Sequence, residues 1–224
     1  MDGFILCTIV DCRSVNVYNK QWRQFMRITK DPILRRQELI DAARELFIDA
    51  GVSKTSVAKI AAQVGVAKGL FYYYFETKED VLMAVIEDLC DKHIAQLNIR
   101  FEEEAHDFYS RLLIFIDAYY DIHPDSRGDE LFDGELIHNF HHTYLMKVED
   151  ILNDIVIEGQ ASGELDLKHP NEMIIMTLDG VFALKNMRDI SRDMVSVMIE
   201  QSLNFADGSL AVHSEKYLVN FERG

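Results

Sequence analysis

The stretch that most constrains this chain is residues 55–75, which read TSVAKIAAQVGVAKGLFYYYF. It contains two apolar periods of helical spacing, and a single glycine, Gly65, separates them. The apolar positions of the first period share one helical face, at spacings of three and four residues: Val57, Ile60, Ala61 and Val64. Because the stretch is too short for two ordinary globular helices and a loop, it predicts a helix-turn-helix.

Each end of the first predicted helix has a residue suited to it. The hydroxyl of Thr55 can accept a hydrogen bond from the first turn, so we expect Thr55 to cap the helix. Gly65 can end the helix, because glycine adopts the left-handed conformation without steric cost. A second short helix is predicted to begin at Lys68 and to run to Tyr73.

Five consecutive aromatic residues, 71–75, make the second predicted helix unusual for a core element. Successive positions on a helix step by about 100 degrees, so adjacent rings cannot all face inward. Rings that project beside Lys68 offer hydroxyl donors and flat apolar surfaces, which suit phosphates, sugars and thymine methyl groups. The second helix is therefore a candidate reader of nucleic acid.

Four motifs follow one another in this region: AARELF at 42–47, G-x-x-x-T-S at 51–56, I-A-x-x-x-G-V at 60–66 and K-G-x-F-Y-x-Y-F-x-x-K-E at 68–79. With these motifs, the segment 35–82 resembles the DNA-binding domain of the TetR family of bacterial transcription regulators. The resemblance implies an all-α fold, in which an N-terminal three-helix helix-turn-helix domain precedes a helical bundle that binds a ligand and dimerises. The alternative is a plain three-helix bundle end with no role in DNA binding.

The resemblance also implies which residues meet DNA. Lys68, Gly69, Leu70 and Tyr73 match positions that approach base edges, whereas Thr55, Tyr72, Tyr74 and Lys78 match positions that meet phosphates. Phe71 and Phe75 are expected in the core. A side chain at position 69 would hold the helix off the groove floor, which gives the glycine a physical reason.

Two residues depart from the pattern of the family. Ala67 stands where a capping serine is common, which forfeits about 1 kcal/mol of helix capping. Leu70 replaces the usual small hydroxyl residue, so we expect it to touch a thymine methyl group rather than to hydrogen-bond a base.

The charge of the chain is unevenly distributed. The net charge of −15 by itself argues against nucleic acid, but residues 1–78 hold 12 Lys+Arg against 8 Asp+Glu, and residues 79–224 hold 11 against 30. A basic head on an acidic body would orient itself on a polyanion with the head facing the phosphates.

No sequence feature indicates a membrane, a disulfide framework or a cofactor. The apolar run at 4–10 is too short to span a bilayer. Cys7, Cys12 and Cys90 are scattered without metal-ligand spacing, which is typical of a reducing, cytoplasmic compartment. We therefore expect a cytoplasmic protein without a resident metal or other cofactor.

The helical pattern continues to residue 208 and predicts four divisions of the chain. Residues 1–30 form an N-terminal extension, which is either a start-codon artefact or a real ordered segment. Residues 31–78 form the DNA-binding domain, 79–208 the regulatory and dimerisation domain, and 209–224 a tail. Beyond the helix-turn-helix, predicted helices begin at Pro32, at a capping box formed by Thr77 and Asp80, and at 107, 130, 170 and 193, with a break near Asn139 in the helix that begins at 130.

A histidine cluster in the body allows three interpretations. His138, His141 and His142 have the helical spacing of metal ligands, with Asp133 and Glu135 upstream. The pattern lacks the glutamate spacing of a zinc hydrolase, so solvated or core histidines are preferred over a metal site. The third interpretation is a polar lining for an effector pocket.

Two further sites are implied by the resemblance, and both overlap with an ordinary hydrophobic core. The candidate effector-pocket residues are Phe108, Phe115, Tyr119, His138, His142, Tyr144 and Met176. The candidate dimer-interface residues, on the last two long helices, are Ile174, Leu178, Phe182, Val197, Met198 and Gln201.

These features predict a homodimeric regulator of transcription. We expect a repressor that a small-molecule effector releases from a palindromic, double-stranded DNA operator. An activator, or a regulator that never meets a small molecule, remains an alternative within the same fold. A metal-dependent enzyme that uses the three histidines is the alternative of another class; no nucleophile elbow, phosphate loop or paired carboxylate pocket supports catalysis.

Overall fold

The computed structural model describes residues 31–122, 134–188 and 190–214. These ranges are helical and contain no strand, so the predicted all-α class is confirmed. In chain order the helices are α1 (Pro32–Ala50), α2 (Val57–Val64), α3 (Lys68–Tyr74), α4 (Lys78–Glu104), α5 (Phe108–Ile122), α6 (Gly134–Ser162), α7 (Pro170–Met187) and α8 (Arg192–Ser202). A final helical turn follows at 209–214.

The chain divides into two compact units, and the division falls inside α1, between Glu38 and Leu39. In the first unit, α1 begins as predicted: Asp31 Oδ1 accepts a hydrogen bond from the N–H of Ile33 at 2.8 Å, and Pro32 is the first helical residue. Arg35 pairs with Glu38 at 2.6 Å. The predicted boundary between residues 78 and 79 does not coincide with this division and stays a prediction.

The second unit contains a hydrophobic cluster that we call the head core. It is built from the inner faces of α1, α2 and α3 and from the first turns of α4. Phe71 and Phe75 are 0% and 4% exposed, which confirms their predicted place in the core. The buried members are Leu39, Ile40, Ala42, Ala43, Phe47, Ile60, Ala61, Phe71, Phe75, Val81, Ala84 and Val85.

A second cluster in the same unit, the body core, joins α4 to α5, α6, α7 and α8. The helix α4 contributes to both cores, because Val81, Ala84 and Val85 pack in the head core while Ile86, Cys90 and Leu97 pack in the body core. Its start is fixed by the predicted capping box of Thr77 and Asp80. A single helix therefore carries side chains of both clusters.

The predicted helix boundaries agree at α5 and α7 but fail in two other places. α6 runs without a break from Gly134 to Ser162, so the predicted interruption near Asn139 is wrong. Asn139 is exposed, and a solvated asparagine on the outer face of a long helix does not need to interrupt it. The predicted start of this helix at residue 130 lies outside the described residues.

Helical periodicity predicts that α8 ends at Ala206, but the helix ends at Ser202. Glu200, only 3% exposed, accepts hydrogen bonds from the N–H groups of Gly208 at 3.0 Å and Leu210 at 2.7 Å. The carboxylate satisfies donors at the start of the turn at 209–214, and it favours a chain reversal over a longer helix. The remainder of the predicted tail, 215–224, lies outside the described residues.

The two glycines of the helix-turn-helix differ in backbone conformation and provide a matched test. Gly65 has a φ of 73°, which an L side chain rarely adopts, whereas a Cβ on Gly69 would lie on a helix in open space. We expect Gly65→Ala to lower the free energy of unfolding by about 1–2 kcal/mol. Gly69→Ala should leave it unchanged or raise it by up to about 1 kcal/mol. Urea unfolding followed by circular dichroism measures the stability of both variants. Equal losses of stability would contradict the different backbone conformations assigned to the two glycines.

Candidate nucleic-acid interface

The first helix of the motif, α2, is capped by Ser56 and not by Thr55. Ser56 is extended, and its hydroxyl accepts a hydrogen bond from the N–H of Lys59. Thr55 lies 3% exposed, with Oγ1 at 2.9 Å from the carbonyl of Gly51 and 3.1 Å from that of Leu46. The predicted capping role of Thr55 is therefore wrong, because its hydroxyl satisfies carbonyls at the end of α1 instead. The same burial turns its side chain away from DNA.

The turn between α2 and α3 has the predicted geometry. Gly65 is left-handed, and its N–H donates to the carbonyl of Ala62 at 3.0 Å. The next N–H, that of Val66, donates to the carbonyl of Ala61 at 2.9 Å, so both ends of the turn are satisfied. Ala67 precedes α3 without a side-chain cap, as expected from its methyl group. Three residues thus redirect the chain into α3.

The five aromatic residues divide between the two sides of α3. Phe71 and Phe75 anchor its inner side, while Tyr72 and Tyr73 are 48% and 74% exposed. Tyr74 is half-buried. The division follows the 100° step of the helix. It leaves two phenols on the outer surface for contact with another molecule.

The predicted groove-facing residues share this outer surface. Lys68 and Gly69 are exposed, and Leu70 is half-buried. The ammonium of Lys68 lies 5.5 Å from the ring centroid of Tyr72, which places a cation and a phenol side by side. Tyr73 meets the ring of Tyr74 edge-on at 4.9 Å. We call Lys68, Gly69, Leu70, Tyr72 and Tyr73 the reading surface.

Positive charge is concentrated around the reading surface. Residues 51–75 contain Lys54, Lys59 and Lys68 and no aspartate or glutamate. All three lysines are exposed. Sequence reasoning did not single out Lys54 or Lys59, although the absence of carboxylates from this segment was a usable signal. A cationic, phenol-bearing helix with small residues at its start suits the negatively charged major groove.

Lys78 has an internal partner that the sequence did not reveal. Its ammonium donates a hydrogen bond to the carbonyl of Val52 at 2.9 Å and so ties the start of α4 to the turn between α1 and α2. An ammonium has three donors, so the bond to Val52 does not preclude a phosphate. The residue nevertheless has a structural role beside the predicted one.

Comparison with known proteins agrees with this geometry. The sequence model of the family described as "Bacterial regulatory proteins, tetR family" matches residues 39–85, which span the head core. The fatty acid metabolism regulator protein of Bacillus subtilis (strain 168) is 26% identical over 171 residues, covering 71% of this chain and 88% of that protein. Residues 39–85 are therefore a DNA-binding domain of the TetR family. The chain is accordingly a DNA-binding regulator of transcription, as the resemblance implied.

Two further TetR-family comparisons extend beyond the head. The HTH-type transcriptional activator FasR of Mycolicibacterium smegmatis is 26% identical over 198 residues, covering 84% of this chain and 88% of that protein. A crystal structure of FadR from Bacillus subtilis in complex with stearoyl-CoA is similar at a TM-score of 0.52 and 25% identity. That similarity covers 75% of this chain and 97% of FadR. The bundle of α4–α8 therefore follows the architecture of ligand-binding TetR regulators.

The residues predicted for the effector pocket do not come together. Phe108, Phe115, Tyr119 and Tyr144 are buried in the body core, but His138, His142 and Met176 are exposed. His138 and His142 are exposed because the helical phase of α6 turns a different histidine, His141, inward. His141 is 2% exposed, and its ring stacks on Phe182 with centroids 3.9 Å apart. Helical spacing alone could not identify the inner histidine.

The described part of the body core is closely packed. Beside Phe115 lies a void of about 10 Å³, too small for an organic ligand. An open cleft of about 570 Å³ lies elsewhere, against α4, α5, α8 and the turn at 209–214. Its lining includes Arg100, Asp117, Arg192 and Val197.

The predicted dimer-interface residues also divide between the inside and the outside. Ile174, Leu178 and Phe182 are buried in the subunit and belong to its own core, and their place in an interface stays a prediction. Val197 and Gln201 are exposed and Met198 is half-buried. The helices expose a different set, which is apolar except for Asp179 and Gln201 and which we call the α7–α8 outer face: Ile175, Met176, Asp179, Ala183, Met187, Met194, Val197 and Gln201.

Two other predictions can be examined only within the described ranges. There, no group of three or more histidine, cysteine, aspartate or glutamate side chains could hold a metal ion, so the proposed metal enzyme gains no support. Of the helices in those ranges, none is both long and apolar enough to cross a bilayer. Asp133 lies outside them.

The reading surface generates a test of why position 69 is a glycine. Nothing in the subunit requires it, because a Cβ there would have no neighbour within 4 Å. We expect Gly69→Ala to weaken binding to the cognate operator about tenfold or more, since a methyl group would lift α3 from the groove floor. Fluorescence anisotropy measures the affinity, and Ala95→Ser on the exposed side of α4 is the control. Unchanged affinity for Gly69→Ala would remove this residue from the reading surface.

Proposed function

We propose that this TetR-family protein is a dimeric repressor whose two α3 helices enter successive major grooves of a palindromic operator. The observation that carries the proposal is the division of α3 itself. Phe71 fixes the helix in the head core, while Lys68, Tyr72 and Tyr73 are exposed. A helix that is rigidly seated and chemically varied on its outer side is suited to reading a groove.

Individual roles follow from where each side chain lies. Lys68, Gly69, Leu70 and Tyr73 would approach base edges, with Leu70 against a thymine methyl group. Tyr72 and Tyr74 would bind phosphates through their hydroxyls, and Lys78 would add a charge at the start of α4. We leave Thr55 out of this set, because its hydroxyl is bonded inside the subunit.

A second copy of the chain is the proposed occupant of the α7–α8 outer face. Met176 and Met187 are 67% and 81% exposed there, an unusual exposure for two apolar side chains of one helix. A two-fold pairing would make a four-helix interface from α7 and α8 of each subunit. Dimer symmetry would then set the two half-sites about 34–36 Å apart, or a little more. DNA as the partner places the protein in the cytoplasm.

The helix α4 would transmit the effector signal, because it packs in both cores. Polar contacts reinforce its attachment to the head: Arg44 on α1 pairs with Asp88 at 3.5 Å, and Lys92 lies 3.9 Å from Asp41 on α1. A tilt of α4 caused by ligand in the body would move α3 with it. A coupling free energy of about 1–3 kcal/mol is enough to change operator occupancy 5- to 150-fold.

For the effector we propose a long-chain acyl-CoA. The B. subtilis fatty acid metabolism regulator and the stearoyl-CoA complex of FadR support this class. The body core offers apolar walls from α5 and α6. Because the relative FasR is an activator, activation of transcription is the alternative regulatory outcome.

Two substitutions on α3 should separate general from sequence-specific binding. We expect Tyr72→Phe to weaken binding to the operator and to a scrambled duplex alike, by about 1 kcal/mol, because a phosphate hydrogen bond is lost. Leu70→Ala should alter preference at a single base pair by about 1 kcal/mol or more. The operator would first be located by footprinting the purified protein on the DNA that flanks its own gene. A monomeric protein indifferent to every duplex at low ionic strength would contradict the proposal.

The proposed effector class has its own test. Stearoyl-CoA at saturating concentration should weaken operator binding at least fivefold, in keeping with the coupling range of allosteric proteins. Free coenzyme A is the matched control, because it carries the same charge without the acyl chain. Stronger binding with stearoyl-CoA would favour an activator, and equal binding with both ligands would exclude this effector class.

A further inference from the structure

A buried imidazole in the body is hydrogen-bonded to a carboxylate on the surface. His141 of α6 is 2% exposed, and its Nε2 lies 2.8 Å from Oδ1 of Asp179 on α7. The side chain of Asp179 is 60% exposed. The other ring nitrogen, Nδ1, lies 3.4 Å from the hydroxyl of Tyr119 on α5. Three helices therefore meet at this histidine.

The contacts of His141 suit a doubly protonated ring. The hydroxyl of Tyr119 donates to the carbonyl of Leu178 at 2.8 Å, so its oxygen can accept a hydrogen bond from a protonated Nδ1. A neutral ring carries one proton. If that proton is on Nε2, which donates to Asp179, then Nδ1 and the phenol oxygen of Tyr119 face each other as two acceptors. An imidazolium donates to Asp179 and to Tyr119 together. The geometry is thus prepared to hold one additional proton.

Burial opposes that proton in the isolated subunit. Loss of water lowers the pKa of His141 from its usual value, and Asp179 only partly offsets this effect. The titratable groups around the ring are Tyr119 from α5, Asp179 from α7, and His138 and His142 from its own helix. Both neighbouring histidines also lower the pKa when they are charged. Water around the exposed carboxylate of Asp179 weakens the opposing attraction.

Asp179 belongs to the α7–α8 outer face, and this placement links the histidine to assembly. Its helical neighbours there are Ile175, Met176 and Ala183, which are apolar. A second copy seated on this face would remove water from the carboxylate. A buried carboxylate is costly unless it is paired with a cation and hydrogen-bonded. His141 is already bonded to it at 2.8 Å and needs only a proton.

We propose that the α7–α8 outer face is a proton-linked association surface, on which His141 takes up a proton as a second copy of this chain covers Asp179. The inference rests on the dimer put forward under the proposed function and adds its regulation. No new contact is required of either subunit. The carboxylate exchanges its water for a protonated partner that is already in place.

The direction of the pH dependence follows from the two states of the histidine. Covering Asp179 raises the pKa of His141 in the dimer above its value in the single subunit, so the dimer binds more protons. Association therefore strengthens as the pH falls through the interval between the two values, and it weakens as the pH rises through that interval. Operator binding, which needs both subunits, should follow the same direction.

The test measures the dimer dissociation constant between pH 6 and pH 8 by analytical ultracentrifugation of the full chain. Because each dimer takes up as many as two protons, we expect the constant to rise about tenfold or more across this range. Asp179→Asn keeps an acceptor for Nε2 but removes the charge, so its dissociation constant should vary less than about threefold. Glu149→Gln, an equal change of charge on the exposed side of α6, should keep the full pH dependence.

A second measurement reports the proton itself. The pKa of His141 is followed by NMR of ¹³Cε1-labelled histidine in the wild-type dimer and in Val197→Glu, which places a charge in the outer face to separate the subunits. A higher pKa in the dimer supports the inference. Equal values, a pH-independent wild-type dimer, or an undiminished pH dependence in Asp179→Asn would each overturn it. A wild-type chain that is monomeric at every pH would instead overturn the proposed dimer.

Discussion

The helix α3 has only seven residues, and a helix of that length is not stable in water by itself. Burial of Phe71 and Phe75 in the head core supplies the stability that the helix lacks. Everything proposed for DNA depends on this attachment, because it fixes which side of α3 faces outward. The exposed phenols of Tyr72 and Tyr73 are consequences of where their neighbours are buried.

The same principle of shared burial extends along α4. Its first turns contribute buried side chains to the head core, and its later turns contribute buried side chains to the body core. Polar contacts follow the apolar ones, with Lys78 bonded to Val52 and Asp88 to Arg44. A displacement of α4 would disturb both clusters at once. That coupling is a physical reason for a regulator to place one long helix between its two functions.

The body presents a contrast between its interior and its surface. Inside, aromatic side chains such as Phe115 and Tyr119 are buried in the body core. Outside, Met176 and Asp179 lie exposed on α7. The pair formed by His141 and Asp179 joins these two environments. Ligand entry and subunit association would therefore act on the same set of packed helices.

Sequence alone determined the all-α class, the helix-turn-helix, the cap at Thr77 and the left-handed glycine at Gly65. These features depend on local chemistry, namely helical periodicity, capping hydroxyls and the missing Cβ of glycine. The candidate reading residues of α3 followed from the resemblance to the TetR family, and they stay a prediction. Local rules could not decide between Thr55 and its neighbour Ser56 as the cap.

Only the tertiary structure decided which apolar and polar side chains face a partner. Ile174 and Leu178 have the same helical spacing as an interface stripe, yet they pack inside the subunit. His141, rather than His138 or His142, is the buried histidine. Periodicity specifies which residues share a face of a helix. The packing of neighbouring helices determines whether that face is covered, and those neighbours are distant in sequence.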